Sequence, residues 1–125
     1  MDLQSPDLPE FLRLAASRFQ ALADPNRLLI LMTLKARGEI RVNDITSATG
    51  QSQPAVSKNL GILRQAGLVQ CRRDGTSMLY ALRGDTVHVL CETVCKSLEE
   101  EHGQFTAAIR AAIPPRSAPA RKTPR

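Results

Sequence analysis

The sequence predicts a mainly α-helical domain with one small β-hairpin, and three observations carry the prediction. The stretch Ser52-Gln-Pro-Ala-Val-Ser-Lys-Asn-Leu-Gly-Ile-Leu-Arg-Gln-Ala-Gly67 opens on a good N-cap and closes on a glycine suited to the C′ position. Behind it, Leu68-Val-Gln-Cys-Arg72 alternates like a strand, Arg73-Asp-Gly-Thr76 signals a tight turn with Asp-Gly as the hairpin pair, and Ser77–Leu82 returns as a second strand. Ahead of it, a short helix runs into Gly50, so that helix, glycine turn and polar-faced helix come one after another. Together these make the layout of a winged helix–turn–helix. An ordinary surface helix with a hairpin would share the pattern but not the charge. From Gln51 to Arg83 the bases are Lys58, Arg64, Arg72, Arg73 and Arg83, against the single acid Asp74. Folding needs no such bias; contact with phosphate does, because Lys and Arg release condensed counterions.

Taken in order, residues 1–7 read as frayed. Phe11, Leu12, Ala15, Phe19 and Leu22 mark one apolar face of a first helix over Leu8–Ala23. Asp24-Pro25 is a cap followed by Pro at N1, so a second helix begins there and ends at Gly38. Leu28–Leu34 is apolar on nearly every side, as in a central buried helix, and Arg27 reads as structural. Asn43 or Asp44 caps a third helix, Asp44–Thr49. In the fourth, Pro54 falls in the first turn, and Val56, Leu60 and Leu63 recur at helical spacing toward a core. The hairpin spans about Val69–Leu82. Asp85 then caps a last long helix to about His102, with Val87, Leu90, Cys91, Val94, Cys95 and Leu98 as its apolar stripe. Glu99-Glu-Glu101 is solvated surface, Gly103 breaks the helix, and Phe105, Ala108 and Ile109 suggest a short helical piece beyond.

At 125 residues the chain has the length of one domain. Two segments are expected: a winged helix–turn–helix domain over residues 8–113, and a basic, Pro-rich, disordered tail over 114–125. That tail supplies Arg116, Arg121, Lys122 and Arg125 with no acid, so the body carries only about +1 of the net +5, concentrated in the helix–hairpin segment. Aromatics are 3% with no Trp, so the core is aliphatic, and a helical domain this small often completes its core by dimerising. No run approaches a membrane span, and Met-Asp-Leu-Gln-Ser-Pro-Asp is not a secretory signal, so a cytoplasmic location is expected. Three Cys in that compartment point to thiols or metal ligands rather than disulfides.

The first turns of the polar-faced helix would present side chains to base edges in double-stranded DNA. Ser52 caps; Gln53 suits a bidentate pair with adenine; Lys58 can reach guanine O6 or N7; Ser57 can contact a base or a phosphate. Arg72 and Arg73 on the hairpin would meet phosphate or the minor groove, and Thr76 would add a phosphate bond. For Arg64 a solvated helix face is at least as good a reading. No enzyme assembles: there are only His88 and His102, no phosphate-cradling glycine loop, and no nucleophile–base–acid spacing.

Ser52-Gln-Pro-Ala-Val-Ser-Lys-Asn-Leu-Gly-Ile-Leu-Arg-Gln-Ala-Gly-Leu-Val69, with Ala23-Asp-Pro-Asn-Arg-Leu-Leu-Ile-Leu31, resembles the ArsR/SmtB family of bacterial repressors, over about Leu14–Leu98. The resemblance implies a homodimer through the first and last helices that binds operator DNA. In many members a metal or thiol-reactive signal releases it. Many members carry a small hydroxyl residue where Pro54 stands and His where Lys58 stands; these departures bear on the exact base code and not on the docking mode. Two family site types are missing. The stretch matching a Cys-x-Cys pair, Arg41-Val-Asn-Asp-Ile45, has no Cys; of the last-helix ligands only Asp85 matches, with Val87 and Leu98 at its partner positions.

What remains is His88, Cys91 and Cys95, at i, i+3 and i+7 on one helical face. Two thiolates at i, i+4 could chelate As(III), Zn(II) or another soft ion such as Cu(I), with His88 or a partner-subunit group as third ligand. The same cysteines fit equally as small packing residues in the apolar stripe. Cys71 reads as structural and His102 as a solvated helix-end residue. Three functional readings therefore stand: a repressor released by a soft metal or thiol oxidant, such a repressor with no metal or thiol inducer, and a winged-helix protein–protein interaction module. The last would want apolar residues where Gln53, Ser57 and Lys58 stand.

Overall fold

A computed structural model of the protein describes residues 2–103. Its elements are α1 (Leu8–Leu22), α2 (Pro25–Arg37), β1 (Ile40–Arg41), α3 (Val42–Thr49), α4 (Gln53–Gln65), β2 (Val69–Asp74), β3 (Ser77–Leu82) and α5 (Thr86–Glu101). Each boundary has a chemical cause. The Asp24 carboxylate accepts the Arg27 N–H at 3.0 Å and Pro25 opens α2. Gly38, at φ 80°, ends it. Gly50 closes α3 in the left-handed region, and Ser52 Oγ accepts the Ala55 N–H at 3.2 Å to start α4. The end of α4 is a Schellman stop, in which Gly67 N–H bonds Arg64 O and Leu68 N–H bonds Leu63 O. Gly67 sits at φ 80°, and this left-handed backbone is what requires glycine there. A Cβ would lie 2.8 Å from Arg18 Nη2 of α1, but that side chain could shift aside.

The core is aliphatic, as composition demands. Ile30, Leu31 and Leu34 of α2 meet Ile45 of α3, Val56, Leu60 and Leu63 of α4, and Leu68, Val69, Val87 and Cys91. A fully buried Leu, Ile or Val contributes about 1.5–3 kcal/mol, so this shared cluster is the main hydrophobic source of stability. The sheet is antiparallel in the order β1-β3-β2. Val69 pairs with Leu82, Cys71 with Tyr80 and Arg72 with Leu79, while β1 sets Ile40 against Tyr80 and Arg41 against Leu79.

Several details differ from expectation. The hairpin gains a third, two-residue strand, β1, too short to show alternation in sequence. Helix α3 starts at Val42 rather than Asp44, because the chain enters it directly from extended Arg41, leaving Asp44 in the first turn. The hairpin loop is Gly75-Thr76, not Asp74-Gly75. Asp74 still pairs with Ser77, and Gly75 at φ 66° takes the first loop position, where a II′ turn needs glycine. Helix α2 is not buried all round, since Leu29 is 42% exposed. Asp85 precedes α5 without a side-chain capping bond. The suggested helical piece at Phe105, Ala108 and Ile109, the domain end at 113 and the tail 114–125 lie outside the described residues. No helix among the described residues is long and apolar enough to cross a membrane.

Candidate nucleic-acid interface

Helix α4 divides cleanly into two faces. Val56, Leu60 and Leu63 are at most 1% exposed, and Ser52, Gln53, Ser57 and Lys58 are exposed on the opposite side of its N-terminal half. The spacing of apolar residues fixes which side chains face out, and these are the polar ones. Two tethers hold the helix from behind. Arg27 Nη1 donates to Asn59 Oδ1 at 3.3 Å, while its Nε and Nη2 donate to the Ala21 and Gln20 carbonyls at the end of α1. Gln51 Nε2 donates to Asn26 O at 3.1 Å. Arg27 is thus structural, joining α1, α2 and α4 through one planar fork.

On the hairpin, Arg73 and Thr76 are exposed near the tip. Arg72 is differently placed. Its Nε and Nη2 donate to the two Glu39 oxygens at 2.9 and 3.0 Å, and its side chain is half-buried. Those bonds hold the Arg72 guanidinium even further above neutrality than usual. A second pair, Arg41 with Asp74 at 3.7 Å, is exposed. Among the described residues Arg73, Lys58 and Arg64 have no ion pair. Glu39 was not visible as a site residue in the sequence, because it stands 33 positions from Arg72 and only the strand order joins them. On the face of the sheet toward the core, burial pushes the Tyr80 phenol up, with the Cys71 thiol adding to this and Arg64 opposing it. That contact fits a structural Cys71.

A second surface, on α1 and α5, is apolar and open. Phe11, Leu12, Leu14 and Phe19 of α1 and Val89, Val94 and Leu98 of α5 are each 40–63% exposed. A groove lined by Phe11, Leu14, Phe19, Leu22 and Leu90 runs between α1, the end of α4 and the start of α5. Of the α5 stripe, only Val87 and Cys91 are buried; Cys95, His88 and Leu90 are half-buried. Burial pushes the Cys91 thiol up, Lys35 of α2 pulls it down, and Cys95 adds to the rise. Among the described residues no three His, Cys, Asp or Glu side chains converge as a metal site.

Comparison with known proteins sets this geometry in a family. Residues 24–70 match the family described as bacterial regulatory protein, arsR family. The regulator NmtR of Mycobacterium tuberculosis is 41% identical over 87 residues, 70% of this chain and 72% of that protein. An HTH-type transcriptional regulator of Methanocaldococcus jannaschii is 38% identical over 80 residues, 64% of this chain and 90% of that one. Among solved structures, the homodimeric winged helix–turn–helix DNA-binding domain of a possible ArsR-family regulator of Mycobacterium bovis superposes with a TM-score of 0.70 at 35% identity. The match covers 82% of this chain and 97% of that one. With a polar-faced α4 ahead of a basic hairpin, and relatives matched over most of their length, this chain belongs to the arsR family of bacterial regulatory proteins, DNA-binding transcriptional regulators and not enzymes.

Proposed function

We propose that the chain is a cytoplasmic repressor that binds operator DNA as a homodimer, with α4 in the major groove and the hairpin as its wing. The observation that carries this is the split of α4: a fully buried aliphatic face behind an exposed Gln53, Ser57 and Lys58. Gln53 reads adenine through two bonds, Lys58 reaches guanine or a phosphate, Ser57 bonds a base or a phosphate, and Ser52 caps the helix beside the backbone. Arg73 and Thr76 meet the phosphates flanking the groove. The dimer uses α1 and α5, whose exposed Phe11, Leu12, Val94 and Leu98 need a second surface. A protein-docking winged helix would present apolar side chains on α4, and this chain keeps them at the back.

The test is a binding titration on duplexes selected by the protein from a random pool. Gln53→Ala should cost about 1–3 kcal/mol on the selected duplex and relax the preference at one position. If Gln53→Ala binds and discriminates like the parent, α4 is not the reading element.

For the signal, packing is the better account of Cys91 and Cys95, since one thiol is buried and its ionisation opposed. A soft metal or oxidant acting there is the second reading, favoured by the adjacency of two thiols one turn apart. Repeating the titration with arsenite, zinc or peroxide on the parent and on Cys91→Ser with Cys95→Ser decides between them. Release of the parent alone establishes the sensor, and no release leaves a repressor controlled otherwise.

A further inference from the structure

We infer that Glu39 is a positioning residue for DNA binding and that Arg72 acts through it, as a brace for the wing and not as a phosphate contact. The inference rests on the DNA-binding reading above. Strands β1 and β2 are both antiparallel to β3, so they run parallel to each other on either side of it. Glu39 immediately precedes β1, and Arg41 lies two residues on; Arg72 and Asp74 are likewise two apart on β2. Residues two apart in extended chain share a face, as Arg72 and Asp74 do on β2, and Glu39, in the bend just before β1, reaches Arg72 directly. The pairs Glu39–Arg72 and Arg41–Asp74 therefore cross β3 side by side, in the same sense. Between them lies Leu79, the register partner of both Arg41 and Arg72, and it is only 8% exposed although it stands outside the main core cluster.

The two pairs are not equal. Arg41–Asp74 is a single 3.7 Å contact with both side chains more than half exposed, and such pairs contribute little. Glu39–Arg72 is a two-point bond, with the Glu39 side chain only 18% exposed. A bidentate pair fixes direction as well as distance. It ties the middle of β2 to the chain leaving α2, the helix that also anchors α4 through Arg27 and Asn26. The wing thereby takes its angle from the same body that sets the recognition helix. Arg72 commits the Nε–Nη2 edge of its guanidinium to Glu39, whereas Arg73, one residue on, projects from the opposite face of the hairpin and is exposed.

The deciding measurement is affinity for the selected duplex as a function of salt, for Glu39→Gln, Arg72→Gln, Arg72→Lys and Arg73→Gln, with a thermal melt of each. A lost phosphate contact lowers the log–log salt slope by about one per contact. Arg73→Gln should do this. Glu39→Gln and Arg72→Gln should weaken binding by about fivefold at every salt concentration, leaving the slope unchanged, as loss of one charge-assisted pair would. Arg72→Lys keeps the charge but not the fork, and should behave like Glu39→Gln; it carries the decision if Arg72→Gln does not fold. The exchange Glu39→Arg with Arg72→Glu should recover most of the loss. A slope flattened by Arg72→Gln as by Arg73→Gln, an Arg72→Lys variant that binds like the parent, or a Glu39→Gln variant that binds more tightly would overturn the brace. A parent chain that selects no duplex would sink the DNA-binding reading itself and the brace with it. A parent that binds and a Glu39→Gln variant equal to it sink the brace alone.

Discussion

Helices α4 and α5 carry the same kind of apolar stripe and meet different fates. In α4 the stripe residues Val56, Leu60 and Leu63 are buried within the chain, and the back of the helix is sealed. In α5 the first turns bury Val87 and Cys91, after which Val94 and Leu98 stand 54% and 40% exposed. Periodicity states what a helix needs to cover. It does not state which molecule covers it. The polar side of α4 is left free because its apolar side is satisfied at home; α5 keeps half its stripe for another surface, together with the exposed face of α1.

Substitutions on the two helices should separate these fates. Leu60→Ala should lower the unfolding free energy by about 2–5 kcal/mol, as cavity formation in a sealed core does, and by the same amount at every protein concentration. Val94→Asp with Leu98→Asp should leave the fold intact and yield a monomer in sedimentation, with stability no longer dependent on concentration. A double variant that sediments with the parent would show that the α5 stripe is not the interface. A smaller effect belongs to the start of α4. Ser52→Ala removes the capping oxygen and should cost about 1 kcal/mol in chemical denaturation, and a loss below a few tenths would mean the cap bond is not formed in solution.

The smallest effect concerns alkaline pH and the one thiol of the stripe that is buried. The folded state raises the Cys91 thiol above its unfolded value, chiefly by burial. The unfolded chain then ionises first as pH rises. The stability linked to Cys91 is therefore whole below the unfolded pKa and is lost as pH climbs through the folded one. Cys91→Ser should flatten that alkaline decline relative to Cys95→Ser, measured by denaturation on either side of the thiol range. Equal declines in the two variants would place Cys91 in water.

Most of the fold was legible because its signals are local. Asp24-Pro25, Ser52 with Pro54, and the glycines at 38, 50 and 67 each act within a turn of where they stand, and they fixed α2, α4 and their ends. The faces of α4 came from spacing alone. What escaped depends on neighbours distant in sequence. Strand β1 is two residues held by register with β3, and no two-residue segment carries a period. The Arg72–Glu39 bond needs strand order before it can be seen, so a basic hairpin read as a row of phosphate contacts conceals an internal pair. The setting of Arg27 at the start of a buried helix marks it as structural, but its targets, two carbonyls of α1 and Asn59 of α4, emerge only in three dimensions.

The stop at Gly67 has a consequence for rotational phase. Each residue added to an α-helix turns the rest of the helix by about 100°. Helix α4 is pinned at its front by the Ser52 cap and at its back by a Schellman closure whose glycine sits against Arg18 of α1. A residue inserted between those two points would swing Gln53 and Ser57 more than a quarter turn relative to the core stripe, or force the stripe itself out of its sockets. On the proposed docking of α4, base choice would be set as much by the length of chain between Ser52 and Gly67 as by the side chains at its start.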